Sequence, residues 1–269
     1  MQAETAMLLD GIGHWYRNGE WLLRNICVQL RRGEVFAVLG PNGRGKTTLI
    51  NLMLEILTPR EGHIRRYGAT GFVPQLFAPP FPYSVLDMVL MGRASHLGMW
   101  RVPGRRDRAI AHAALRELGL DELAERAVDQ LSGGQRQMVM LARALASESE
   151  ILILDEPAAA LDLHNQAAIL SLIGRLADQR GLTVVFTTHQ PQHALAVADR
   201  AMLLMEAEPP LIGTVNEVMH EQSLSRLYGI GLRHVQVARE GGSEESFIPL
   251  FGQCRQQQVR RENPHKTAN

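Results

Sequence analysis

The sequence predicts an α/β fold: a mostly parallel sheet with helices on its faces, an antiparallel β part at the N-terminus and an inserted helical stretch. Three observations carry this expectation. Apolar runs of β formers recur at Val35–Leu39, Ile151–Leu154, 182–187 and 201–205, without polar alternation, as expected of strands buried on both faces. Segments with helical apolar spacing lie between them, and strand–helix alternation implies parallel order. From 76 to about 146 strand formers thin out and helical patterns dominate.

Along the chain, residues 6–40 alternate apolar runs with turn signals, Asn18-Gly19 as a hairpin-type turn and Arg32-Gly33-Glu34 as a break. The strand Val35–Leu39 ends at Gly40. Leu49, Leu52, Met53 and Ile56 then give 47–57 a helical stripe. Glu61-Gly62 marks a break, and 71–75 reads as a short strand ending at Pro74. Residues 85–91 and 107–117 are the clearest helices of the inserted stretch. Ile169, Leu172, Ile173 and Leu176 predict another helix before the strand at 182–187. We divide the chain into a discontinuous core, 1–75 and 147–230, a helical subdomain at 76–146, a C-terminal extension at 231–252 and a frayed polar tail at 253–269.

The 269 residues suffice for one large domain or two small ones with a full core. Lys+Arg and Asp+Glu are both 28, and this zero net charge argues against a nucleic-acid binder that works through bulk charge. Cys27 and Cys254 make no disulfide framework and read as reduced thiols of a cytosolic protein. The longest uncharged run, 67–86, is interrupted by Pro74, Pro79, Pro80 and Pro82, so it does not span a bilayer. The N-terminus has no basic stretch before an apolar one, so no signal peptide is read. Any membrane role must come through a partner.

Chemistry concentrates in three places. Gly40-Pro41-Asn42-Gly43-Arg44-Gly45-Lys46-Thr47 fits G-x-x-x-x-G-K-[ST], with Thr48 after it, a strand before and a helix following. Glycines let successive backbone N–H groups point at phosphate oxygens, and the helix adds the positive end of its dipole. Lys46 is placed for the β- and γ-phosphates and the Thr47 hydroxyl for Mg²⁺. The strand 151–154 delivers Asp155 and Glu156 to the carboxyl edge of the sheet. There Asp155 suits Mg²⁺, and Glu156 suits orienting and deprotonating a water. Ser132 reads as the N-cap of a helix, and Gly133 and Gly134 leave its first-turn amides open for an anion, although an ordinary capped helix has the same pattern.

On these residues the chain resembles the ATPase subunit of an ATP-binding cassette (ABC) transporter, which has a P-loop NTPase core. Residues 40–48 resemble its Walker A motif, 131–135 its signature and 151–156 its Walker B. Gln75 stands at the Q-loop position, 160–162 resemble the D-loop with Asp162, and His189 resembles the switch histidine. Tyr16 stands where an aromatic ring stacks on adenine. The resemblance covers roughly 5–230. It implies Mg²⁺-dependent ATP hydrolysis in a head-to-tail homodimer. The Ser132, Gly133, Gly134 and Gln135 signature of one subunit would close over the γ-phosphate held by the other. Gln75 would touch Mg²⁺ or the water, and His189 would hydrogen-bond the γ-phosphate.

The implied assembly is a cytoplasmic ATPase bound peripherally to the inner (cell) membrane on two membrane-spanning permease subunits, served by a periplasmic or extracellular solute-binding protein. Leu90-Met91-Gly92-Arg93, His96-Leu97-Gly98 and 224–229 look similar to stretches in importers of iron chelates, haem, cobalamin and some oxyanions. An exporter half is an alternative. A soluble ribosome-acting cassette protein usually has two cassettes in one chain, whereas this chain has one Walker A. A DNA-repair cassette ATPase would carry a coiled coil or zinc hook, and 76–130 hold neither a heptad run nor a cysteine.

Two departures from the family stand out: Arg44 and Ala159 occupy positions where small polar residues are common. Arg44 is expected to point to solvent. His189 and His193 are four apart, but Pro191 between them argues against a metal pair. Phe77, Phe81 and Tyr83 form either a partner surface or a packed loop. Arg101, Arg105, Arg106 and Arg108 read as a solvated helix face, and Met138 and Met140 as helix packing.

Overall fold

Six strands form the central sheet, in the order β5-β6-β7-β3-β8-β9. The computed structural model describes residues 4–16, 19–75, 81–97, 101–239 and 242–251. The N-terminal strands β1 (Thr5–His14) and β2 (Leu23–Arg31) pair antiparallel, and β3 (Val35–Leu39) enters the central sheet. Helix α1 (Lys46–Met53) follows, then β4 (Glu61–Arg66), which joins β1, and β5 (Thr70–Val73). Between β5 and β6 the named elements are all helical: α2 (Val85–Leu90), a 3-10 turn at Met91–His96, α3 (Arg105–Glu117), two short 3-10 turns and α4 (Gly133–Ala146). Then come β6 (Ile151–Leu154), α5 (Leu163–Arg180), β7 (Thr183–Thr188), α6 (Pro191–Val197), β8 (Arg200–Leu203) and β9 (Leu211–Thr214). The small helices α7 (Val215–Val218) and α8 (Glu221–Tyr228) lead to a hairpin of β10 (Leu232–Arg239) and β11 (Gly242–Pro249).

The apolar runs are explained by burial on both faces. In β3 every residue is buried, and alternate side chains enter two separate cores. Val35, Ala37 and Leu39 face α4, α5 and the helical stretch, with Leu152, Leu154, Val184 and Phe186. Phe36 and Val38 face α1 and the antiparallel sheet, with Ile151, Ile153, Val185 and Met202. Only β9 runs antiparallel in this sheet, pairing with β8 at the edge.

Two expectations need correction. The helix expected over 47–57 stops at Met53. Leu54 caps it, Glu55 takes φ +59°, and Ile56 is 65% exposed rather than core. The break at Glu61-Gly62 begins β4 instead of separating elements. Gly62 has φ +75°, and a Cβ there would stand 2.3 Å from the Asp10 carbonyl oxygen, so a close strand crossing requires the glycine. In the C-terminal hairpin Phe247 is buried, and Gln192 Nε2 donates to its carbonyl at 2.9 Å, tying the hairpin to α6. Asn18, Phe77, Cys254 and the tail at 253–269 lie outside the described residues. Among the described residues no helix is long and apolar enough to cross a membrane.

Candidate active site

Parallel register brings the chemistry to one edge. Val73 pairs with Leu154, Leu154 with Phe186, and Leu39 with Thr188. The residues just beyond these strand ends therefore meet at the carboxyl edge of the sheet, where open α/β sheets take ligands. Those residues are Gln75, Asp155, Glu156, His189 and the loop at 40–45.

The loop turns back over α1. Gly43 and Gly45 take φ +82° and +88°, conformations that L side chains resist. A Cβ at Gly43 would meet nothing within 4 Å, so its backbone faces open space, whereas one at Gly45 would press on Leu23 Cδ2 at 2.9 Å. Asn42 is exposed and Pro41 half-buried. Lys46 is buried, and its Nζ donates to the carbonyls of Gly40 at 2.7 Å and Pro41 at 3.1 Å.

The acidic pair is tightly held. Asp155 Oδ2 accepts from Thr47 Oγ1 at 2.9 Å, and Oδ1 accepts from Thr187 Oγ1 at 2.6 Å. Glu156 takes φ +45°, uncommon outside glycine, and its N–H donates to Thr187 Oγ1 at 2.8 Å. Its Oε1 lies 3.1 Å from Lys46 Nζ. Its Oε2 accepts from Gln75 Nε2 at 3.3 Å and meets His189 Nδ1 at 3.1 Å. One buried carboxylate thus gathers Lys46 from the start of α1, Gln75 from beyond β5 and His189 from beyond β7.

Other expected residues sit apart from this centre. Tyr16 is 56% exposed, and its hydroxyl shares a 3.0 Å hydrogen bond with Thr48 Oγ1, linking the ring to α1. Arg44 pairs with Glu206, which raises the guanidinium pKa, so its charge is directed to that carboxylate. Ser132 caps α4, with its Oγ accepting from Gln135 N at 3.2 Å and its N–H donating to Gln135 Oε1 at 3.0 Å. Among the described residues no hydrogen bond of Ser132, Gly133, Gly134 or Gln135 reaches the loop at 40–48. These residues lie instead against Leu161 and Asn165, next to Asp162. Asp162 caps α5, and the Asn165 N–H groups hold its carboxyl below the usual value.

The His189–His193 spacing has an ordinary explanation. His193 is buried, with Nδ1 3.1 Å from Thr188 Oγ1 and Nε2 3.4 Å from Gln166 Oε1, and burial lowers its pKa. Spacing in the sequence carried no signal for Thr187, Thr188, Asn165 or Gln166. Thr187 and Gln166 act through hydrogen bonds across 31 and 27 residues and Asn165 through its contact with Gly134, whereas Thr188 meets His193 only five residues on. The two threonines directly before His189 were the one visible hint.

The donor set fits Mg²⁺. Thr47, Asp155 and Gln75 offer a hydroxyl, a carboxylate and an amide, all hard oxygen ligands. Among the described residues no group of three or more His, Cys, Asp or Glu forms an all-protein cage.

Comparisons with known proteins agree with this geometry. The sequence profile of the ABC transporter family matches residues 23–159. The molybdate import ATP-binding protein MolC of Haemophilus influenzae is 41% identical over 91% of this chain and 97% of its own. The manganese transport system ATP-binding protein MntB of Bacillus subtilis is 36% identical over 83% of this chain and 93% of its own. A solved inward-facing conformation of a metal-chelate type ABC transporter superposes with TM-score 0.90 and 40% identity, covering 93% of this chain and 100% of that one. A dimeric ATP-binding cassette with ADP and Pi superposes with TM-score 0.68 and 28% identity, covering 78% and 98%. The chain therefore belongs to the ABC transporter family, as an ATP-hydrolysing subunit.

Proposed function

We propose that this ATPase powers import of a small oxyanion or metal chelate. It would work as a homodimer seated on two transmembrane permease subunits at the cytoplasmic face of the membrane, with a solute-binding protein delivering cargo outside. The names of the molybdate and iron chelatin relatives support the cargo class. The helical stretch at 76–146 would be the subdomain that moves against the core at 1–75 and 147–230.

The observation that carries the reading is the meeting of Glu156 with Lys46, Gln75 and His189 at the sheet edge. Backbone N–H groups of 43–48 and the Lys46 ammonium would hold the phosphates, with Tyr16 stacked on the adenine. Thr47, Asp155 and Gln75 would hold Mg²⁺, which when bound supplies charge neutralisation to the phosphates. Glu156 accepts the proton of the attacking water as its oxygen bonds to the γ-phosphorus and the bond to the β-phosphate oxygen breaks. His189 donates to the γ-phosphate, and Gln75 reports its presence to the segment that follows. The Ser132–Gln135 loop of the second subunit closes over the same phosphate, so two ATP molecules close the dimer and hydrolysis reopens it.

The test uses the chain with its permease in vesicles. Lys46→Ala removes a charge-assisted contact of about 1.5–3 kcal/mol, so nucleotide affinity should fall by roughly tenfold to a hundredfold and uptake should stop. Near-normal affinity and turnover would reject the site assignment. Uptake of neither molybdate nor an iron chelate by the unaltered complex would reject the cargo class.

A further inference from the structure

Gly134, the second residue of α4, stands where the Asn165 side chain leaves no room for a Cβ. A Cβ built there would stand 2.6 Å from Asn165 Oδ1, 2.7 Å from its Cγ and 3.0 Å from its Nδ2. Asn165 does not swing away freely. Its Nδ2 donates to Asp162 Oδ2 at 2.9 Å and its backbone N–H to Asp162 Oδ1 at 2.8 Å. The next residue, Gln166, donates through Nε2 to the Leu161 carbonyl at 2.9 Å, and Leu161 is the side chain that a Cβ at Gly133 would touch, at 3.9 Å. The first turn of α5 and its cap thus form a stop, pinned at both ends, against which Gly134 rests.

We propose that Asn165 is a positioning residue. Clamped by Asp162, its amide sets where the Gly134 backbone and the N-terminus of α4 sit, and so aims that terminus at the nucleotide held by the second subunit. The inference rests on the head-to-tail dimer given above. Asn165 itself touches no nucleotide. It makes the loops carrying Asp162 and Ser132 one block, so a shift of either carries the other. The requirement for glycine at 134 then comes from this chain's own amide rather than from a phosphate approaching from outside.

The two sources separate in a double substitution on the full chain, read as steady-state ATP hydrolysis. Gly134→Ala alone should lower kcat by about 10²-fold, the scale for misplacing a catalytic contact by an ångström. Asn165→Ala alone should cost less, about tenfold, because α4 loses its stop without being pushed. In Gly134→Ala with Asn165→Ala the new methyl occupies the space the amide left, and activity should recover to the level of Asn165→Ala. A double variant no faster than Gly134→Ala overturns the inference. Asn165→Asp keeps the shape but sets a carboxylate against Asp162. It should lower kcat and ATP-driven dimerisation while leaving the nucleotide affinity and melting temperature of the monomer unchanged. Loss of monomer affinity or of melting temperature in step with kcat would mark a general structural role and reject positioning. For variants too slow to assay, dimer formation with ATP in the Glu156→Gln background gives the same comparison by gel filtration. Failed rescue with Lys46→Ala still inactive overturns this inference alone. A Glu156→Gln chain that stays monomeric at saturating ATP overturns it together with the dimer.

Discussion

Lys46 Nζ stands 3.1 Å from Glu156 Oε1, and the two side chains are only 6% and 7% exposed. The group expected to hold phosphate is therefore paired with the group expected to deprotonate water. Gln75 and His189 hold the same carboxylate from the other side. A phosphate that draws Lys46 away from Glu156 would leave that carboxylate free for a water. Removing one partner of a buried pair leaves the other charge uncompensated.

Glu156→Gln should therefore do more than stop hydrolysis. Without nucleotide its melting temperature should fall, and saturating ATP should restore it. ATP should bind at least as tightly as to the unaltered chain, because no carboxylate competes for Lys46. Turnover should drop by more than about 10²-fold, since the amide accepts no proton. Fluorescent-nucleotide titration and thermal melts check this. Weaker ATP binding would refute the competition.

Arg44→Ala should change little. Its ion pair with Glu206 is partly exposed, 29% and 72%, and such pairs contribute about 0–1 kcal/mol. KM for ATP and kcat should stay within about twofold, a difference of a few tenths of a kcal/mol. A tenfold rise in KM would place the guanidinium on the phosphates instead.

Phe81 and Tyr83 behave differently although they are two residues apart. Phe81 is 63% exposed, with its ring centroid 6.1 Å from that of Tyr83, and Tyr83 is half-buried against the core. Phe81→Ser should leave melting temperature and basal ATPase intact yet weaken binding to the permease, as expected of an exposed aromatic anchor. Tyr83→Ser should lower the melting temperature. Full transport with Phe81→Ser would exclude this ring from the docking surface.

His193 makes stability depend on pH. Burial holds its pKa below the ordinary 6.5 in the fold, so the unfolded chain takes up the proton first. Its contribution is complete above about 6.5 and is lost as pH falls from there toward the depressed folded value. Denaturant midpoints on either side of that pH should differ, and His193→Gln should reduce the difference. An equal pH dependence in the variant would assign the effect to other groups.

The motifs at 40–48 and 151–156 were legible because each is a local run whose spacing carries its own chemistry, whereas 131–135 also fits an ordinary capped helix and gained its meaning from the family resemblance. The strands Val35–Leu39 and Ile151–Leu154 were legible because burial on both faces leaves an unbroken apolar run. β4 and the Phe247 hairpin were not. An exposed antiparallel strand such as Glu61–Arg66 is held by its partner's backbone, which local sequence does not display. The early end of α1 at Met53 is likewise a packing outcome, since Ile56 fits the helical stripe but finds no core to enter. The sequence by itself determined the candidate residues for the chemistry: Lys46, Thr47, Asp155, Glu156 and His189. Only the tertiary structure decided how they engage, with Glu156 on Lys46, Thr187 under Asp155, and Asn165 between Asp162 and Gly134. The physical reason is that a hydrogen bond or a steric stop depends on distance across the parallel register, and residues tens of positions apart have none until the sheet forms.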